Sequence, residues 1–208
     1  GKGYVYAASA ADIARDTGFE KIARLASNEN PFEPAPEIQK AAALALSDIN
    51  RYPDPSSAKL RAAIRKHIYD APVVVSGSGM DGVIETVIRV IVSPGDTVAV
   101  AAPTFSVYGL AAKAASANIV NIPSREDFTI DIDLFIEKAR TAKLSFLCTP
   151  NNPTGTTVPA AEVKRILENI EGFLFLDCAY IEFADEDYYS LLSAENLIIG
   201  RTLSKVYG

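Results

Sequence analysis

The chain has one histidine and two cysteines among its 208 residues. His67 lies in a charged stretch with Arg61, Arg65 and Lys66 and reads as a surface residue. A histidine-based catalytic triad or zinc site has almost nothing to draw on, and no metal is expected. Cys148 and Cys178 make no disulfide framework, which points to a reducing cytoplasm. Lysine and arginine form no run, and the net charge is -6. A nucleic-acid binder would carry a basic patch, so that class is disfavoured. No stretch approaches the roughly 20 apolar residues that cross a bilayer. The opening Gly1-Lys2-Gly3-Tyr4-Val5-Tyr6 has no apolar run bounded by a cleavage site, so no signal peptide is expected. Internal repeats and low-complexity tracts are missing as well. These absences leave a soluble protein without a membrane or nucleic-acid partner.

What is present is apolar mass, 49% of the chain, enough for the core of one domain or somewhat more. The chain opens on Gly1 rather than Met and stops three residues after Lys205. Chain ends fray unless tied down, so the reading is of a stretch from a longer protein, truncated at its C-terminus.

Residues 1–34 read as irregular and rich in turn formers. Helices are predicted over 35–49 and, capped by Ser56, from there to about Tyr69. The pattern then alternates. Strands are predicted at 72–75, 97–101, 118–122, 143–148, 173–176 and 196–199. Helices are predicted at 80–92, 105–116, 134–140 and 159–170. Short apolar runs between helical segments indicate a three-layer α/β/α fold around a mainly parallel sheet.

In such sheets ligands sit beyond the carboxyl ends of the strands. Five motif-bearing loops are predicted on that rim. The first, Gly77-Ser78-Gly79-Met80-Asp81-Gly82, fits G-x-G-x-x-G between a strand and a helix, and its N–H groups suit a phosphate. A dinucleotide site would want an acid near the end of the next strand. Ala101-Ala102-Pro103 stands there instead, so a single phosphate fits better. A Gly-rich turn without ligand is the plain alternative. Asn151-Asn152-Pro153-Thr154-Gly155 is either an ordinary turn or a polar clamp through Asn152. Asp177 closes an apolar strand, as a cap or as a carboxylate for a ring nitrogen. Tyr180 is a rim aromatic whose hydroxyl could reach a ring oxygen. Phe105 or Tyr108 could stack on a ring, with core packing about equally expected for Tyr108. Lys205, after the last strand, suits a Schiff base, and Thr202 and Ser204 beside it carry hydroxyls suited to phosphate. Together these residues are the parts for holding pyridoxal phosphate (PLP).

The set resembles the fold-type I PLP-dependent aminotransferases, and within them the histidinol-phosphate branch. The resemblance rests on Asn28-Glu29-Asn30-Pro31-Phe32, Arg51-Tyr52-Pro53-Asp54-Pro55, Gly77 to Asp81, Pro103-Thr104-Phe105, Asn151 to Gly155, Asp177 to Phe183, and Arg201 to Lys205. It covers nearly the whole chain after about residue 25. The resemblance implies that Lys205 forms the Schiff base and Asp177 pairs the pyridine nitrogen. Tyr180 and Asn152 would bond the 3-oxygen, and Phe105 would stack on the ring. Gly79, Met80 and Asp81, with Thr202 and Ser204, would hold the phosphate. Tyr52 would reach the cofactor of a neighbouring subunit in a homodimer, and Asn30 would face the substrate. Catalysis would rest on Lys205, Asp177 and Tyr180. The resemblance also implies an N-terminal arm and part of a small domain over 1–50, and an incomplete PLP-binding large domain over 51–208. The family usually has glutamate where this chain has Cys178 and an acid where it has Gly82. Neither departure touches a side chain given a role. The family's later phosphate-site arginine and substrate-contacting arginine would lie past Gly208, so this stretch alone is expected to be a poor enzyme. The implied activity is ping-pong transamination between L-histidinol phosphate, the small-molecule amino donor, and the 2-oxo acid 2-oxoglutarate. Alternatives are an aromatic or aspartate-type aminotransferase, a threonine-phosphate decarboxylase, or a non-catalytic module on the same scaffold.

Overall fold

The computed structural model describes residues 9–19, 21–23 and 25–208. Residues 1–8, the start of the expected N-terminal arm, lie outside the described residues. Five parallel strands form one sheet in the order β2-β1-β3-β4-β5. They are β1 (Thr97–Ala102), β2 (Asn118–Pro123), β3 (Leu144–Cys148), β4 (Phe173–Asp177) and β5 (Leu197–Gly200). β3 is buried at every position and β4 at all but its first, as expected of strands covered on both faces.

Helices cover both faces. On one lie α4 (Gly79–Ile91) and α5 (Val107–Ala114). They bury Ile84 and Ile88, and Tyr108 and Ala112, each pair one helical turn apart, against Val98, Phe146 and Phe175. On the other lie α6 (Ile132–Ala139) and α7 (Ala160–Leu167), packing Phe135, Ile136, Val163 and Ile166 against Leu147, Leu174 and Leu176. Asp131 caps α6 by accepting from the Leu134 N–H at 3.1 Å. The three layers agree with the sequence expectation.

The described residues before 76 are organised differently. α1 (Ala10–Thr17), α2 (Pro36–Ala45) and α3 (Ala58–His67) bury no residue. α1 stands where the sequence read as irregular. Its eight residues are held by local devices that a search for apolar periodicity passes over. Ser9 accepts from the Asp12 N–H, and Gly18 closes the helix in a left-handed conformation. The cap of α3 also differs from expectation. Asp54, not Ser56, accepts from the Ser56 and Ala58 N–H groups, because its two oxygens reach both donors.

Residues 72–75 do not form the predicted strand. Val73 and Val75 are exposed and Val74 is buried, so the alternation is strand-like. No neighbouring strand pairs with this backbone among the described residues, and an unpaired β-branched run is not a strand.

Candidate functional site

The sheet order reverses between β1 and β3, since β2 follows β1 outward on one side and β3 to β5 run outward on the other. Loops diverge above such a point and leave a crevice at the carboxyl ends. The loops after β1 and β3 are bolted together there by Asn151. Its Oδ1 accepts from Thr104 Oγ1 at 2.7 Å, and its Nδ2 donates to the Pro103 carbonyl at 2.9 Å and to Thr154 Oγ1 at 2.8 Å. The buried amide makes three hydrogen bonds, which fixes the backbone beside Phe105 and Asn152. Sequence reading gave Asn151 no role of its own. A second buried network supports the loop from below. Tyr188 Oη lies 2.8 Å from Thr149 Oγ1 and donates to the Val158 carbonyl at 2.6 Å.

Cys148, Asp177 and Gly200 stand in one register row at the ends of β3, β4 and β5. Asp177 is buried, and both of its oxygens are engaged. Oδ2 accepts from Tyr108 Oη at 2.6 Å and Oδ1 accepts from the Ala179 N–H at 3.0 Å. Burial is the largest influence on its carboxyl and raises its pKa, against the pull of these two donors. The charge of Asp81 adds to the rise and that of Lys205 opposes it. Among the described residues Asp177 has donors but no ion-pair partner. From the sequence, Tyr108 is a ring-stacking or core candidate. The structure makes it the hydrogen-bond donor to Asp177, fully buried and stacked on Phe146 at 4.7 Å between centroids. The signal, an aromatic three residues after Phe105, does not reveal a partner 69 positions away. Phe105 packs edge-on to Tyr108 at 5.7 Å and remains half-buried. Burial pushes the Cys148 thiol up to about 12, so it stays protonated and inert.

Gly79 opens α4 with φ +66, a conformation that favours glycine. Ser78 makes no side-chain cap, so the first-turn N–H groups of Gly79, Met80 and Asp81 are left for another acceptor. The loop lies close to the end of β5. A Cβ built on Gly200 would fall 3.1 Å from Met80 Sδ and 2.5 Å from the Phe175 ring. Just past Gly200, Thr202 Oγ1 and Ser204 Oγ are 2.7 Å apart, Thr202 half-buried and Ser204 exposed. The Lys205 ammonium lies 5.8 Å from the Tyr180 ring centroid and donates to the Ser27 carbonyl at 3.1 Å. Asn28 Nδ2 donates to Tyr180 Oη at 3.0 Å, and Asn30 Nδ2 donates to the Val206 carbonyl at 2.9 Å. The segment 27–30 therefore lies across the lysine loop. Burial, its largest influence, raises the Tyr180 phenol above its ordinary pKa.

The fold thus gathers Gly79, Met80, Asp81, Phe105, Asn152, Asp177, Tyr180, Thr202, Ser204 and Lys205 on one rim, with Asn30 beside it. Tyr52 is not part of this group and its side chain is fully exposed. A surface cavity of about 560 Å³ lies elsewhere, along α3 and lined by Arg61, Arg65 and Lys66, and contains none of the rim residues. The rim combines the first-turn N–H groups of α4, a buried carboxylate without an ion-pair partner among the described residues, an aromatic face and an amine. That donor set suits a flat, phosphorylated, protonatable heterocycle with a reactive carbonyl.

Known proteins resemble this chain in sequence and in fold. The model of the aminotransferase class I and II family matches residues 20–208. The chain is 61% identical over 206 residues to a histidinol-phosphate aminotransferase of Methanocorpusculum labreanum, covering 99% of this chain and 59% of the relative. It is 55% identical to a histidinol-phosphate aminotransferase of Methanoculleus marisnigri over 99% of this chain and 58% of the relative. The crystal structure of histidinol-phosphate aminotransferase from Sinorhizobium meliloti in complex with pyridoxal-5'-phosphate superposes with a TM-score of 0.85 at 27% identity, over 98% of this chain and 58% of that one. The chain therefore spans a little under three fifths of the length of the proteins it resembles.

Proposed function

We propose that this chain, which belongs to the aminotransferase class I and II family, carries the cofactor-holding part of a PLP-dependent histidinol-phosphate transaminase. The observation that carries the reading is Asp177. It is a buried carboxylate, oriented by Tyr108 and the Ala179 N–H, with no cation to pair with among the described residues. A protonated pyridine nitrogen would meet that need.

When bound, PLP supplies an electron sink for the negative charge that develops at the substrate Cα. Asp177 would hold the ring nitrogen protonated. Phe105 would cover one ring face, and Asn152 and Tyr180 would hydrogen-bond the 3-oxygen. The first-turn N–H groups of α4, from Gly79 to Asp81, with the hydroxyls of Thr202 and Ser204, would bind the phosphate. Lys205 would supply the amine that anchors the cofactor, then move the proton at Cα. Its present acceptor is the Ser27 carbonyl, a single hydrogen bond that is readily exchanged. Asn30 would face the substrate from the crossing segment.

The donor we assign is L-histidinol phosphate and the acceptor 2-oxoglutarate, a reading supported by the names of the relatives reported above. We assign residues 1–50 to an N-terminal arm and part of a small domain, and 51–208 to the PLP-binding domain. The working unit in this reading is a homodimer, with Tyr52 of one copy reaching the other's cofactor phosphate. The exposure of Phe32, Ile38, Leu44, Leu46, Ile49 and Tyr52 along one continuous stretch supports it, since a lone domain rarely leaves that much apolar surface open. Among the described residues no helix is long and apolar enough to cross a membrane. Two free, buried cysteines accord with the reducing cytoplasm to which we assign it.

The test mixes PLP-loaded full-length protein with L-histidinol phosphate in a single turnover, without acceptor. Loss of the cofactor's visible band with release of the matching 2-oxo product is expected. A band that ignores this donor but responds to an aromatic amino acid would reject the assigned substrate.

A further inference from the structure

Two charged residues in the rim stretches have no part in the chemistry just described. Arg201 follows the last residue of β5 and precedes Lys205 by four positions. Glu182 sits in the 3-10 turn Ile181–Phe183, two positions after Tyr180. Arg201 Nη2 donates to Glu182 Oε1, with the two side chains only 18% and 17% exposed. The Arg201 guanidinium carbon also lies 5.8 Å from the Tyr189 ring centroid. Tyr189 stacks in turn on Tyr69, 4.8 Å away with planes 11° apart. A continuous strut therefore runs from the end of the α3 segment, through Tyr69, Tyr189 and Arg201, to Glu182.

We propose that the Arg201–Glu182 pair is a positioning device, which sets the Lys205 amine at a fixed distance from the Tyr180 hydroxyl. The inference rests on the reading of Lys205 as the cofactor amine. The backbone from Arg201 to Lys205 belongs to no helix or strand. Among the described contacts, its hydroxyls bond each other rather than the body of the protein. A lysine on such a segment would sample many positions, and lost orientation translates directly into lost rate. The ion pair joins this loop to the loop that carries Tyr180, adding a side-chain tie to the Cys178 N–H to Gly200 carbonyl bond at 2.9 Å, and so restricts the spacing of the two groups. Stability alone is a weak reason for such a pair, because a largely buried ion pair is often replaceable by apolar residues without loss. Arg201 Nε has no hydrogen-bond partner, which leaves Glu182 as the anion that orients the guanidinium among the described residues.

The experiment uses full-length apoprotein. PLP capture is followed by stopped flow, trapped by borohydride reduction and mapped to Lys205 by peptide mass spectrometry. Glu182→Gln and Arg201→Met are expected to slow capture at Lys205 about tenfold or more. Glu182→Asp, which keeps the charge, is expected to recover most of the rate. A folded Glu182→Gln protein that captures PLP at the parent rate, whatever its melting temperature, would overturn the proposal. Should Glu182→Gln not fold, Arg201→Met decides. It removes the cation but keeps an apolar stem, and parent-like capture by it would equally reject a positioning role. If borohydride instead labels a different lysine in the parent protein, the assignment of Lys205 falls, an outcome separate from any effect of Glu182.

Discussion

Residues 9–75 and the sheet layer that follows solve the problem of burial in opposite ways. Among the described residues of the first region only Val74 is buried, although three helices form there. In the second, β1, β3 and β4 are buried at nearly every position and two apolar clusters fill both faces. The first region holds its shape with caps and turns and leaves its apolar side chains facing outward. The second carries the packing that fixes the rim. An exposed apolar surface and a closely packed core can thus lie in one chain, and they are told apart by burial rather than by composition.

The comparison can be tested from its strongest consequence to its weakest. Lys205→Ala removes the assigned amine from the rim without touching the core. Turnover by the full-length protein should fall about thousandfold or more, with the melting temperature almost unchanged. A large loss of stability instead would mean that the rim is part of the core. Phe146→Ala strikes the core itself, where a fully buried ring packs between Tyr108 and Phe175. About 3–5 kcal/mol of unfolding free energy should be lost in urea titration.

Asp177→Asn separates function from folding within the layer. The folded-state pKa of Asp177 lies above its ordinary value of 3.8, with burial the leading cause. The stability it contributes is therefore complete below the unfolded pKa and is lost as pH rises through the folded one. The apoprotein of the Asn variant should lack that decline and melt a few degrees higher at neutral pH, while binding PLP poorly. A lower melting temperature would show that the carboxylate is a net stabiliser. Leu44→Ala on α2 is the smallest of the set. In this chain alone it should cost under about 0.5 kcal/mol, because Leu44 is already exposed. In the full-length protein the same change should weaken self-association by sedimentation, which would sharpen the contrast between the two regions.

The sheet was legible in the sequence because each strand is a short apolar run bounded by turn formers, and burial on both faces demands that composition. The rim was legible in part for the same reason: loops after parallel strands share one edge, so Asn152, Asp177 and Lys205 converge by topology, whereas the Gly79 loop follows no strand among the described residues and joins the rim as the start of α4. What escaped was whatever depends on partners distant in sequence. The run 72–75 has strand composition but no neighbour to pair with. Tyr108 and Asn151 act through bonds to residues 69 and 47 positions away, which no local pattern encodes. α1 escaped for the opposite reason, since it is held by caps within eight residues and buries nothing.

At Gly200 the end of β5 lies close to the cradle loop at the start of α4. The Phe175 ring lies where its Cβ would be, and Met80 of the cradle loop stands just beyond. The spacing between the cradle and the lysine loop is therefore gauged by a hydrogen atom. Every other residue type would act as a wedge there, so opening the site at this position would first require the Phe175 ring to move.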